Sequence, residues 1–176
     1  MLAIALFRES HQTITVFLNQ LQYERCGLNS SAIGYIFIVV TVVGLLGMFS
    51  HRVTAKLGTK KTAVLLFTGG AAACLCLALT GSALLSAGSI VLLRLSYMLF
   101  EPLHAELQNR QIESRYRATA LSIYSMLINS VAVCTNLVFG ALADLALPLA
   151  FVFGAAACAT GRILFVNWYK QTPSKA

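Results

Sequence analysis

Arg94, Tyr97, Glu101, His104 and Gln108 recur at alternating spacings of three and four residues. On an α-helix turning about 100° per residue they fall within an arc of roughly 80°. Such a stripe in otherwise apolar sequence offers a guanidinium to hold an anion, a carboxylate to take up a proton, and hydroxyl, imidazole and amide groups to bind a polar solute. A second stripe, Arg8, His11, Gln12, Thr15, Asn19 and Gln22, spans roughly 100° of one helix face. A third, Ser122, Ser125, Asn129 and Asn136, spans roughly 60°.

Arg94 lies deepest in its apolar run and is the leading candidate for substrate or counter-ion contact, with Tyr97 on the same face. Glu101 is placed to pair with Arg94 or Arg8, or to take up a proton where it is partly desolvated. His11 is the other titratable candidate. With Gln12, Thr15, Asn19 and Asn129 these complete the candidate set for substrate binding or coupling. Plainer alternatives stand beside each. An Arg94–Glu101 pair would also lock two helices together, the Ser and Asn side chains would also serve as interhelical hydrogen-bond donors, and Arg162 would also snorkel to an interface.

Catalytic signatures are absent from the sequence. It contains no Gly-rich phosphate loop, no H-E-x-x-H and no G-x-S-x-G, and His104 with Glu106 is too short a pattern for a metal site. No enzyme activity, metal or cofactor is expected, and a proton is the coupling ion that Glu101 and His11 would suit.

The elements that must carry these stripes are membrane helices. The chain has 176 residues, 58% hydrophobic and 11% charged, with a mean hydropathy of +0.77, whereas a soluble domain is about 45–50% apolar and about 25% charged. Charge-free stretches run over 26–51, 62–93, 118–143 and 145–161, and a span needs only about 20 predominantly apolar residues. The reading is an all-α polytopic protein, a single bundle of six transmembrane helices over about 1–21, 31–50, 62–80, 83–105, 118–143 and 148–168. The first run is followed by Arg8, Glu9, Ser10, His11 and Gln12 rather than a small-residue cleavage site, so it is not a cleaved signal.

The net charge of +7 would suggest nucleic acid in a soluble protein, but its position excludes that partner. Arg52, Lys56, Lys60 and Lys61 follow the second span, Arg110, Arg115 and Arg117 follow the fourth, and Lys170 and Lys175 follow the sixth. The intervening loops hold Arg25 or no cation. Cationic loops stay on the cytoplasmic side, so the expectation is a multi-pass protein of the plasma membrane with both termini inside. Five cysteines show no metal-type spacing, and Gly44, Gly47, Gly70, Gly154 and Gly161 read as close helix contacts.

Several segments resemble a known family. The run from Phe100 to Ser125, with Pro102, Arg117, Ala118, Thr119 and Ser122, is similar to the junction of the tenth and eleventh helices of major facilitator superfamily transporters. Gly140, Leu142 and Asp144 match the usual end of that eleventh helix, and Gly27 to Ser31 with Ile33 and Gly34 resemble the turn opening the eighth. The loop from His51 to Lys61 carries Lys56, Gly58 and Lys61 of the family's conserved loop, with His51 and Ala55 where Gly and Asp are expected.

The resemblance implies helices seven to twelve of a twelve-helix carrier, the carboxyl-terminal half of a secondary transporter working by alternating access. It implies that Lys56, Gly58, Lys61, Arg117, Thr119 and Ser122 belong to the loops that switch conformation. It also implies partners: a small-molecule substrate, the lipid bilayer, and either an amino-terminal six-helix half or a second copy. Two alternatives remain open, a six-helix substrate-binding subunit of a vitamin importer and an intramembrane enzyme.

Overall fold

The computed structural model describes residues 2–112 and 117–171, and the side chains of Gln111 and Arg117, like Arg115 and Lys175, lie outside the described residues. Every element among them is helical: α1 Leu2–Gln12, a π-helical turn Thr13–Leu18, α2 Asn19–Arg25, α3 Ser30–Gly44, a 3₁₀ turn Leu45–Phe49, α4 Ser50–Leu57, α5 Thr59–Leu79, α6 Ala83–Gln111, α7 Arg117–Leu145 and α8 Leu147–Gln171. Five helical runs are long and apolar enough to cross a membrane: Ser30–Leu57, Thr59–Leu79, Ala83–Arg110, Ala118–Leu145 and Leu147–Gln171. The first segment, Leu2–Arg25, is not among these five, since Arg8, Glu9, His11 and Gln12 interrupt its apolar surface.

Local chemistry sets the boundaries. Asn29 caps α3 by accepting the Ala32 amide at 2.9 Å, and Gly27 at φ 77° supplies the left-handed turn before it. The segment expected as a loop over His51–Lys61 is instead mostly helix. α3 runs through the 3₁₀ turn into α4 as far as Leu57, and the chain reverses on Gly58 alone, at φ 79° and ψ 150°. That backbone conformation is accessible essentially only to glycine. The helical run Ser30–Leu57 therefore extends beyond the expected helix over 31–50.

α5 and α8 make the most extensive helix pair, α6 joins α5, and α1 lies against α8 and α7. Their shared core is aromatic: Phe7 meets Phe67 at 4.6 Å and Phe100 at 5.3 Å, and Phe67 meets Phe165 at 5.9 Å. Lipid is as apolar as this core, so association rests on close packing rather than on the hydrophobic effect. Glycines allow it. A methyl group on Gly70 would strike Phe7, one on Gly154 would lie 2.7 Å from Ile14, and one on Gly161 would lie 2.9 Å from the Ala3 carbonyl oxygen.

The α3–α4 run docks on α6 where Pro102 interrupts that helix. Proline has no amide to give the Met98 carbonyl four residues earlier, and Gly47 packs so close to this oxygen that an added Cβ would lie 2.7 Å from it. One turn on, the Ser50 hydroxyl donates to the Leu99 carbonyl. Elsewhere α3 and α7 are poorly covered: 6% and 17% of their apolar windows are buried, against 50% for α5.

Candidate functional site

The π-helical turn after Gln12 decides which polar groups of the first segment meet. With i→i+5 bonding each residue advances by less than the α-helical angle, so a uniform wheel loses phase beyond residue 12. His11, Thr13 and Thr15 are buried, Asn19 is half-buried and Gln12 is exposed. The Thr15 hydroxyl donates to the His11 carbonyl at 2.7 Å and lies 3.3 Å from His11 Nε2. Thr13 donates to Asn136 Oδ1 on α7. Gln22, at the far end of the stripe, is fully buried and bonds the Thr80 carbonyl at 3.1 Å and the Ser86 hydroxyl at 2.9 Å, tying α2 to the α5–α6 turn.

α6 presents Arg94 and Tyr97 to this turn. The Tyr97 ring stacks on His11 with centroids 4.2 Å apart and planes 10° from parallel. Arg94 Nη1 lies 3.4 Å from His11 Nε2. Arginine has no acceptor, so in this contact the guanidinium is the donor. Both His11 Nδ1 and Arg94 Nε are buried without a hydrogen-bond partner among the described residues. The guanidinium lies over α3 at Gly44, where an added Cβ would come within 3.3 Å of Nε and Nη2.

Glu101 is not part of that cluster. It is exposed, and no carboxylate lies within 4.0 Å of Arg94 among the described residues, so the expected Arg94–Glu101 and Arg8–Glu101 pairs are absent there. Glu101 instead borders a crevice of about 230 Å³ between α1, α6 and α7 with Arg8, Tyr97, His104, Gln108 and Ser125. A second hollow of about 350 Å³ shares Ile4, Phe100, His104, Gln108 and Tyr124 with it and continues to Leu107, Leu164 and Trp168 at the ends of α6 and α8. Where the two hollows meet, the Tyr124 hydroxyl hydrogen-bonds His104 Nε2 across from α7 to α6.

Of the remaining candidates, Asn129, Thr119 and Ser122 are exposed on α7. Lys56 is exposed in the last turn of α4, Lys61 in the first turn of α5, and Gly58 forms the reversal between them. The structure thus brings His11, Thr15, Arg94 and Tyr97 together. It places Glu101 in the neighbouring crevice and leaves Gln12, Asn19 and Asn129 apart. Glu9 escaped the sequence reading: it is buried, with its carboxylate 4.0 Å from Arg8 Nε. It lies off the wheel arc that marked the stripe. Thr13 escaped for the same reason.

Among the described residues no group of His, Cys, Asp and Glu is arranged to hold a metal ion, and all five cysteines are free. The stacked imidazole, guanidinium and hydroxyl groups of this cluster, with Tyr97 also bordering the neighbouring crevice, are suited to exchanging hydrogen bonds with a polar solute.

The family model described as Major Facilitator Superfamily matches residues 1–176 of this chain. No curated protein and no solved structure matches it.

Proposed function

The chain belongs to the Major Facilitator Superfamily, and from that premise we propose that it forms one of the two helical bundles of a secondary transporter that carries a small solute by alternating access. In this reading the Leu2–Arg25 segment crosses the membrane with the five apolar runs, giving six spans with both termini on the cytoplasmic side of the plasma membrane. The solute passage runs beside α1, α6 and α7, and a second bundle, either a separate six-helix half or another copy of this chain, forms its other wall.

The observation that carries this reading is the polar face of α7. Ser122, Ser125 and Asn129 are exposed on a helix whose apolar window is mostly uncovered. Polar side chains inside a span face protein or water rather than acyl chains, and among the described residues Ser122 and Asn129 are left exposed while Ser125 opens into the α1–α6–α7 crevice. A second bundle enclosing a wet passage supplies both.

Co-expression of the chain with candidate six-helix partners, followed by reconstitution in liposomes, tests the proposal. Solute uptake is expected from a two-bundle assembly and from no monomer of this chain. Uptake by a strict monomer would refute the division into halves, and the lack of uptake by every assembly that forms would refute transport.

A further inference from the structure

Within the transport reading above, on which this inference rests, we propose that the junction of α1, α3 and α6 recognises an anionic group of the solute, a carboxylate or phosphate, through Arg94 with His11 beside it. Arg94 lies near the middle of the Ala83–Arg110 span and is half-buried. A charge at that depth costs at least about 2.5–3.5 kcal/mol on insertion scales unless it is compensated. The acids around it do not compensate it. Glu9 lies against Arg8 at 4.0 Å, and Glu101 is exposed in the crevice on the other side of Tyr97.

The hydrogen-bond balance of the junction points the same way. Arg94 Nε–H is a buried donor without an acceptor among the described residues, His11 Nδ1 beside it is buried without a partner there, and the Thr15 hydroxyl proton is committed to the His11 carbonyl. An excess of donors around a cation is satisfied by a group carrying several acceptor oxygens and negative charge. A cationic solute, or one rich in donors, would leave the same atoms unsatisfied and add repulsion. Gly44 leaves room for the guanidinium itself, because a Cβ there would press on it at 3.3 Å, and the Tyr97 stack fixes the imidazole plane.

The test is thermal unfolding of the full chain in nanodiscs of zwitterionic lipid, titrated with sodium benzoate, sodium phosphate and benzylammonium chloride at constant ionic strength. Benzoate or phosphate should stabilise the chain and benzylammonium should not. Arg94→Gln should weaken the anion effect roughly ten- to hundredfold, as expected for a lost charge-assisted hydrogen bond, whereas Arg94→Lys should retain part of it. Gly44→Ala keeps the charge and should also weaken the anion effect, so the test survives if Arg94→Gln fails to fold. Stabilisation by benzylammonium equal to that by the anions overturns the proposal. So does an anion effect unchanged in both Arg94→Gln and Gly44→Ala, or no effect of any anion at tens of millimolar. Stabilisation through Arg94 by added phosphatidylglycerol alone also overturns it, since it assigns the charge to lipid. Uptake of a neutral or cationic solute that Arg94→Gln leaves unaltered would refute the anion assignment while leaving transport intact. Arg94-dependent anion binding without any uptake would do the reverse.

Discussion

The His11 imidazole lies flat on the Tyr97 ring, 4.2 Å between centroids and 10° from parallel, with its Nε2 turned to Arg94 at 3.4 Å. One aromatic contact therefore positions a ring on α1 against a cation on α6. Aromatic pairs contribute about 0.5–1.5 kcal/mol beyond their buried area, enough to hold the imidazole in one orientation. Tyr97→Phe preserves the ring and should retain stability and uptake, whereas Tyr97→Leu should lose about 1 kcal/mol of stability and lower uptake. Denaturant titration in detergent beside an uptake assay checks both. Equal behaviour of the two variants would show that the stack orients nothing.

Gly47 offers a sharper test of packing. An alanine methyl there would lie 2.7 Å from the backbone oxygen of Met98, which cannot move aside like a side chain, whereas the same change at Gly34 meets nothing within 4 Å. Gly47→Ala should destabilise the chain by about 1–3 kcal/mol, the usual cost of overpacking. Gly34→Ala should be neutral or stabilising by up to about 1 kcal/mol, because alanine favours the helix. The difference between the two unfolding midpoints reads the contact of the 3₁₀ turn with α6.

These two relationships also mark what the sequence discloses. Apolar run length and the position of Lys and Arg reveal the helices, because lipid imposes a strict length and polarity on any span. The small residues Gly44, Gly47, Gly70, Gly154 and Gly161 were legible as close contacts and all have near neighbours. The stripe of α6 was legible too, since Arg94, Tyr97, Glu101, His104 and Gln108 sit on a regular helix. Side-chain pairing within it was not. Angular position places Glu101 on the face of Arg94, yet two turns of rise separate them, and the carboxylate opens into a different crevice. The first segment was least legible because nothing in Thr13–Leu18 announces i→i+5 bonding. That turn opens with Thr13 bonded to Asn136, while Gln12, the last residue of α1 before it, is exposed. The loop over His51–Lys61 misled for another reason: its charges mark a water-exposed stretch, and an exposed stretch is still free to continue as helix.

The Tyr124–His104 hydrogen bond crosses between α7 and α6 at the meeting point of the two hollows. Tyr124→Phe removes the hydroxyl, leaves the ring that stacks on His104 at 5.5 Å, and deprives Nε2 of this partner. The expected cost is about 1 kcal/mol. It should appear as faster labelling of a cysteine placed at Ser125 by a water-soluble maleimide, as the crevice opens more readily. Unchanged labelling and stability would mean that the bond closes nothing.

Asn129 separates the two environments available to α7. It is exposed in the isolated bundle, so Asn129→Leu removes no contact visible there and replaces an amide that lipid tolerates poorly by a side chain that lipid favours. The stability of the chain alone should be unchanged or raised. If α7 faces a second bundle across a wet passage, the same change puts an apolar group where water and polar neighbours belong, and uptake by the two-bundle assembly should fall. Parallel measurement of unfolding in detergent and of uptake in liposomes resolves the two effects. A variant more stable and equally active would place this face of α7 against acyl chains, and the second bundle would have to dock elsewhere.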